Sequence, residues 1–156
     1  MLISALFISA FNSSNYPVAK LYAFQQKVSG GVNFSSAEKN KAKTKYHLYL
    51  ELKKGREISV ETVWINGTQM NFDLEETGSP VTYEKTVTLG KGNQTEILIP
   101  ATSNKLLRIV VRDEAGDKKA PPKYKTYSLL ILYREANKSF YLGTKNFSKM
   151  LPEIKQ

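Results

Sequence analysis

Hydrophobic and polar residues alternate with period two along most of this chain, and no sustained helical period competes with that alternation. The clearest run is Tyr46 to Lys53, where Tyr46, Leu48, Leu50 and Leu52 share one face and His47, Tyr49, Glu51 and Lys53 the other. Lys54 and Gly55 read as a turn. Glu57 to Ile65 then places Ile58, Val60, Thr62 and Trp64 on one side. Asn66-Gly67 is the strongest hairpin signal in the sequence, because both residues tolerate the positive φ of a two-residue turn. The return strand carries Met70, Phe72 and Leu74 inward, so Glu57 to Glu75 reads as one hairpin.

Thr77 to Pro80 breaks the pattern before Val81 to Leu89 resumes it, with Val81, Tyr83, Val87 and Leu89 on the inner side and Lys85 interrupting them. Thr95 to Ile99 is a short strand stopped by Pro100. Leu106 to Asp113 follows, with Leu107, Ile109 and Val111 on a single face. Ala120-Pro121-Pro122 forms a stiff connector. Lys125 to Arg134 reads as the last long strand, apolar on both faces from Leu129 to Tyr133 as a central strand is. Phe140 to Leu142 pairs with it across the turn from Glu135 to Ser139. About eight short strands with turn-punctuated spacing predict an all-β fold, an antiparallel β-sandwich or barrel.

Two segments depart from the alternation. Met1 to Phe11 is an apolar run too short to span a bilayer, which fits the core of a secretory signal although no Lys or Arg precedes it. The alternative is a first paired strand. Ser29 to Thr44 is lysine-rich and poor in hydrophobic residues, and reads as a mobile loop. The organisation expected is therefore a leader and spacer over 1–16, a sandwich domain over 17–143 and a tail over 144–156 anchored only by Phe147, Met150 and Leu151.

Composition narrows the chemistry. The 156 residues include no cysteine, which removes disulfides, thiolate metal sites and thiol nucleophiles together. Twenty-three Lys and Arg against fourteen Asp and Glu give a net charge of +9 and favour anionic partners. Most of that charge is lysine, the generic solubilising cation, so a solvated basic surface competes with a binding one. Six of ten asparagines sit in Asn-X-Ser/Thr sequons: Asn12, Asn33, Asn66, Asn93, Asn137 and Asn146. Turns favour the same residues, and the lack of cysteine points to a bacterial source.

The stretch Leu107 to Asp117 resembles the penultimate strand and following turn of immunoglobulin-like and fibronectin type III domains, and Trp64 is similar to the core tryptophan of that class. The resemblance covers about half the chain and implies an immunoglobulin-like sandwich; the inter-sheet cysteine pair of antibody domains is missing. The whole also looks like short exported Bacteroidota proteins of unknown function. Fold likeness carries no activity with it.

Catalytic candidates are few. His47 is the single histidine, and a Ser-His-Asp triad would have to join it to Asp73, Asp113 or Asp117. Asp113, Glu114 and Asp117 share one turn that could hold calcium, but Lys118 and Lys119 follow at once and oppose a cation. Glu51, Glu57, Glu61 and Glu84 stand as isolated glutamates on outer strand faces, where offsetting lysines is their simplest task. No phosphate loop or nucleophile elbow is present. The expectation is a protein without catalytic residues, bound metal or cofactor.

Lysine interleaved with tyrosine occurs at Lys43 to Tyr46 and from Lys118 to Tyr127. Such residues stack on sugars or bases while their ammonium groups meet phosphate or carboxylate. Lys45, Tyr49, Lys123, Tyr124, Lys125 and Tyr127 are thus the candidate binding surface. The reading is an exported, periplasmic or cell-surface interaction or adhesion module that binds a protein or glycan through an exposed sheet face or edge. A carbohydrate- or anion-binding module is the alternative, and nucleic acid is the less favoured partner.

Overall fold

The structure is a computed structural model and describes residues 15–29, 43–86 and 92–154. Met1 to Phe11 and most of the lysine-rich loop lie outside the described residues, as do Val87 and Leu89. Among the described residues eleven strands follow one another: β1 (Val18–Ser29), β2 (Lys43–Leu52), β3 (Ser59–Ile65), β4 (Thr68–Thr77), β5 (Val81–Thr86), β6 (Asn93–Ile99), β7 (Leu106–Glu114), β8 (Leu129–Glu135), β9 (Lys138–Thr144), β10 (Ser148–Lys149) and β11 (Glu153–Ile154). Among the described residues no helix is long and apolar enough to cross a membrane.

Nine strands form one sheet in the order β10-β1-β2-β7-β4-β3-β8-β9, with β11 also on β1, while β5 and β6 make a separate hairpin. The all-β class holds, but the sheet is mixed and not purely antiparallel. Its last course of chain explains why: β9 runs antiparallel to β8, then β10 and β11 run parallel to β1 at Phe24↔Ser148 and Val28↔Glu153. The terminal stretch is thus held as well as anchored, with the Met150 amide donating to the Gln25 carbonyl at 2.9 Å. The sheet curls so that β9 touches β1, and Tyr16 meets the Phe140 ring edge at 5.7 Å.

The curl encloses the inner faces. Leu48, Leu50 and Leu52 of β2 meet Val63 and Ile65 of β3, Leu107 and Ile109 of β7, Leu129, Ile131 and Tyr133 of β8 and Leu142 of β9. Each buried aliphatic here contributes about 1.5–3 kcal/mol by leaving water. The Tyr133 hydroxyl is buried in that core with no hydrogen-bond partner, and burial pushes its pKa up.

Asn66 and Gly67 both take positive φ, 50° and 81°, and join β3 to β4 as the dipeptide predicts. One predicted facing is corrected. β3 carries a bulge between Val60 and Thr62, so Val60 and Val63 face the core while Thr62 and Trp64 face outward. Leu74 keeps the inward parity but is 38% exposed. The last long strand starts at Leu129, not Lys125, because Pro122 to Tyr124 forms a 3-10 turn and the Tyr127 amide bonds back to the Tyr124 carbonyl at 3.0 Å.

Two covers bury parts of the sheet's outer face. Hairpin β5–β6 lies over β1, β2 and β7 through Val81, Tyr83, Leu98 and Ile99, which pack on Tyr22, Phe24, Tyr49, Leu106 and Met150. The connector from β7 to β8 lies over β3, β8 and β9, with Ala120 and Tyr124 against Trp64, Leu130, Leu132 and Tyr141. The second cover accounts for β8 being apolar on both faces.

Candidate functional site

The six candidate surface residues divide between the two covers. Lys45 and Tyr49 lie under hairpin β5–β6; Lys123, Tyr124, Lys125 and Tyr127 belong to the connector. Tyr49 requires a correction, since it is 5% exposed instead of standing on an open face. Its neighbours on β1 and β7 and the overlying hairpin bury it, and burial raises its pKa against the opposing charge of Arg108.

The connector cover is built on rings. Tyr124 and Tyr127 meet edge to face at 5.5 Å, Tyr124 tilts over Tyr141 at 5.0 Å, and Tyr141 stacks on Trp64 at 6.4 Å. The Trp64 indole N–H donates to the Lys118 carbonyl at 2.8 Å, which fastens the connector to β3. Gly143 of β9 lies directly beneath Tyr127: a Cβ there would sit 2.9 Å from the Tyr127 ring and against the Leu129 carbonyl.

Lysines surround these rings. Lys123 Nζ lies 4.9 Å from the centre of Tyr124, Lys118 Nζ 5.8 Å from Trp64 and Lys145 Nζ 5.9 Å from Tyr127. Lys119 and Lys125 are exposed beside them. Among the described residues none of these five lysines makes an ion pair, whereas Lys105, Arg108, Arg112 and Arg134 all do. Trp64 is buried at 1% exposure, so it offers no stacking platform to a sugar.

The hairpin cover leaves room beneath it. A cleft of about 470 Å³ separates β5 from the sheet, walled by Lys45, His47, Tyr49 and Arg108 on one side and Thr82, Tyr83 and Glu84 on the other. His47 Nε2 lies 3.1 Å from Gln26 Oε1. The Tyr83 hydroxyl donates to Glu96, and burial together with that carboxylate pushes its pKa up to about 12.

Glu51 holds this cover in place, a role that its alternating pattern does not reveal. It is buried at 5% exposure and accepts from Tyr22 at 2.8 Å, Thr102 at 2.8 Å and Asn104 at 2.9 Å. Burial pushes its pKa up, but the donors from Asn104, Tyr22 and Thr102 and the charge of Lys20 outweigh it and hold the carboxyl below its ordinary value. Thr102 in turn exchanges hydrogen bonds of 2.9 and 3.0 Å with Ser79, so both chain connections to the hairpin meet at one buried carboxylate. The one sequence signal for it is a charge placed between Leu50 and Leu52 near the end of β2.

The other candidates are dispersed. Asp73 pairs with Arg112, Asp113 accepts from Asn71 at 3.0 Å, Glu61 bridges to Arg134 at 3.0 Å, and Glu57 lies 3.7 Å from Lys105. Among the described residues no three His, Asp or Glu side chains cluster as a metal site. Of the sequon asparagines, Asn66, Asn137 and Asn146 are exposed; Asn12 and Asn33 lie outside the described residues. Comparison with family models, curated proteins and solved structures returns no match.

Proposed function

We propose that this chain is a non-catalytic, exported interaction module of the cell envelope that holds a negatively charged protein or glycan partner on the connector cover. The observation that carries the reading is the group of five lysines, Lys118, Lys119, Lys123, Lys125 and Lys145, around the Trp64, Tyr124, Tyr127 and Tyr141 rings, with no paired carboxylate among the described residues. Ring faces hold three of the ammonium groups in position, so less side-chain freedom is lost when an anion arrives. Compact ammonium charges answer to the density of negative charge and not to the planar geometry that an arginine fork reads.

Stacking of a neutral sugar is the weaker alternative, because Trp64 is buried and lysine covers the Tyr124 face. Export is supported by the apolar run from Met1 to Phe11. The immunoglobulin-like resemblance, carried by Leu107 to Asp117 and Trp64, would have to accommodate a tryptophan on the outer face.

The test is binding of a sulfated polysaccharide, an acidic peptide and single-stranded DNA to the wild-type chain and to a Lys119→Ala, Lys123→Ala, Lys125→Ala variant. The variant is expected to lose roughly tenfold in affinity for the polysaccharide or peptide, about 1.4 kcal/mol. Unchanged affinity in the variant sinks the reading. Preference for DNA with a steep loss on adding salt replaces it with nucleic-acid binding.

A further inference from the structure

We infer that the cleft beneath hairpin β5–β6 is a separate binding site for a carboxylated sugar ring, the class of the hexuronic acids. It is distinct from the connector cover, since β4 and β3 lie between β7 and β8 in the sheet. Its volume of about 470 Å³ lies within the range of small-ligand pockets. Three kinds of wall meet there, and each matches a different part of such a ligand.

The sheet wall supplies positive charge. Arg108 stands directly across from Tyr49 in the β2–β7 register, and Lys45 projects from the same face of β2, four residues before Tyr49. The carboxylate of Glu75 lies 3.9 Å from Arg108, and both side chains are about half exposed, so this ion pair is loose. A ligand carboxylate placed beside Arg108 could take two parallel hydrogen bonds from the guanidinium, which a surface pair at that distance does not.

The hairpin wall supplies hydroxyl chemistry. Tyr83 faces the sheet from β5, Thr82 and Glu84 border the cleft from the exposed side of that strand, and Gln26 and Thr77 complete the rim. Hydroxyl, amide and carboxylate groups so arranged donate to and accept from the several hydroxyls of a sugar. The floor is apolar: Val81, Leu98 and Met150 surround the buried Tyr49 and suit the C–H face of a pyranose ring.

Other small anions satisfy fewer of these walls. Inorganic phosphate would meet the cations, yet it would leave the apolar floor uncovered and bring a dianion toward Glu84. An aromatic carboxylate would cover the floor, but it would strip water from Gln26, Thr77, Thr82 and Glu84 without replacing their hydrogen bonds.

The experiment is a chemical-shift titration of the full chain with glucuronate, glucose, benzoate and inorganic phosphate in turn. Glucuronate is expected to bind at least tenfold more tightly than each of the other three. Arg108→Gln and Lys45→Gln should each erase most of that preference, whereas the triple lysine variant of the connector should keep it. Equal binding of glucose and glucuronate, equal binding of phosphate or benzoate, or no binding at all overturns the proposal. So does a preference that survives in both cleft variants. Because the connector variant is scored in the same titration, failure of one site is distinguishable from failure of the other.

Discussion

The two covers on the outer face of the sheet solve the same problem differently. Both must exclude water from strands whose outward residues include large side chains. The connector does so with rings, and Tyr124 fills its space down to the surface of Trp64 and Tyr141. The hairpin is held by polar bonds at its base, where Glu51 gathers Tyr22, Thr102 and Asn104, and a cleft stays open between its far part and the sheet. Stacked rings bring the connector into direct contact with the sheet, while the hairpin, fastened at one end, has a gap beside it. The filled cover presents charge on its surface, and the hinged one presents it inside a pocket.

The sharpest way to break the filled cover is Gly143→Ala. Its methyl would press on the Leu129 carbonyl and the Tyr127 ring, backbone and aromatic atoms that have little room to yield. A loss of about 3 kcal/mol is expected, read as a lower urea midpoint. A midpoint equal to wild type would mean that Tyr127 is not seated on β9.

Glu51→Gln tests the other cover. The amide keeps the shape but loses the charge that Tyr22, Thr102 and Asn104 address, and a loss of about 2 kcal/mol is expected at neutral pH. The pH dependence has a definite sign. The folded carboxyl titrates below its ordinary value of 4.5, so its stabilisation is present above that value and is lost as pH falls through the lower, folded one. The difference between wild type and Glu51→Gln should therefore shrink in acid. A difference that stays constant from neutral to acid pH would remove the carboxylate from its assigned role.

Tyr83→Phe is the smallest change. It deletes the hydroxyl bonded to Glu96 while keeping the ring against Tyr22, Phe24 and Tyr49. About 1 kcal/mol is expected, with no effect on polyanion binding at the connector. Altered polysaccharide affinity in this variant would show that the two covers are not independent.

Period-two parity made β2, the Leu106 to Ile109 part of β7 and the Asn66-Gly67 turn legible, because the alternation is unbroken where these segments pair. The same rule failed in β3, where one extra residue at the bulge moves Trp64 to the opposite face and leaves no mark in the residue types. It also could not tell which outward faces would be covered. Tyr49 and Tyr127 alternate alike in the sequence, yet one is buried by a hairpin whose strands lie more than thirty positions away. Ser148 and Lys149, polar and only two residues long as a strand, carry no pattern that would announce pairing with β1. For the site, the interleaved lysines and tyrosines located the connector, but Arg108 entered the cleft through register alone.

Closure of the sheet by its final course of chain has a consequence for the order of events during synthesis. The partner of β1 on one side, Ser148 to Ile154, leaves the ribosome after every other described strand. Until then the edge of β1 presents unpaired amides and carbonyls, and the nascent chain must be kept from other edges. Contacts of such long sequence separation also make folding slow, on the scale of milliseconds to seconds. The last strands to emerge are thus the ones that shield the edge of the first.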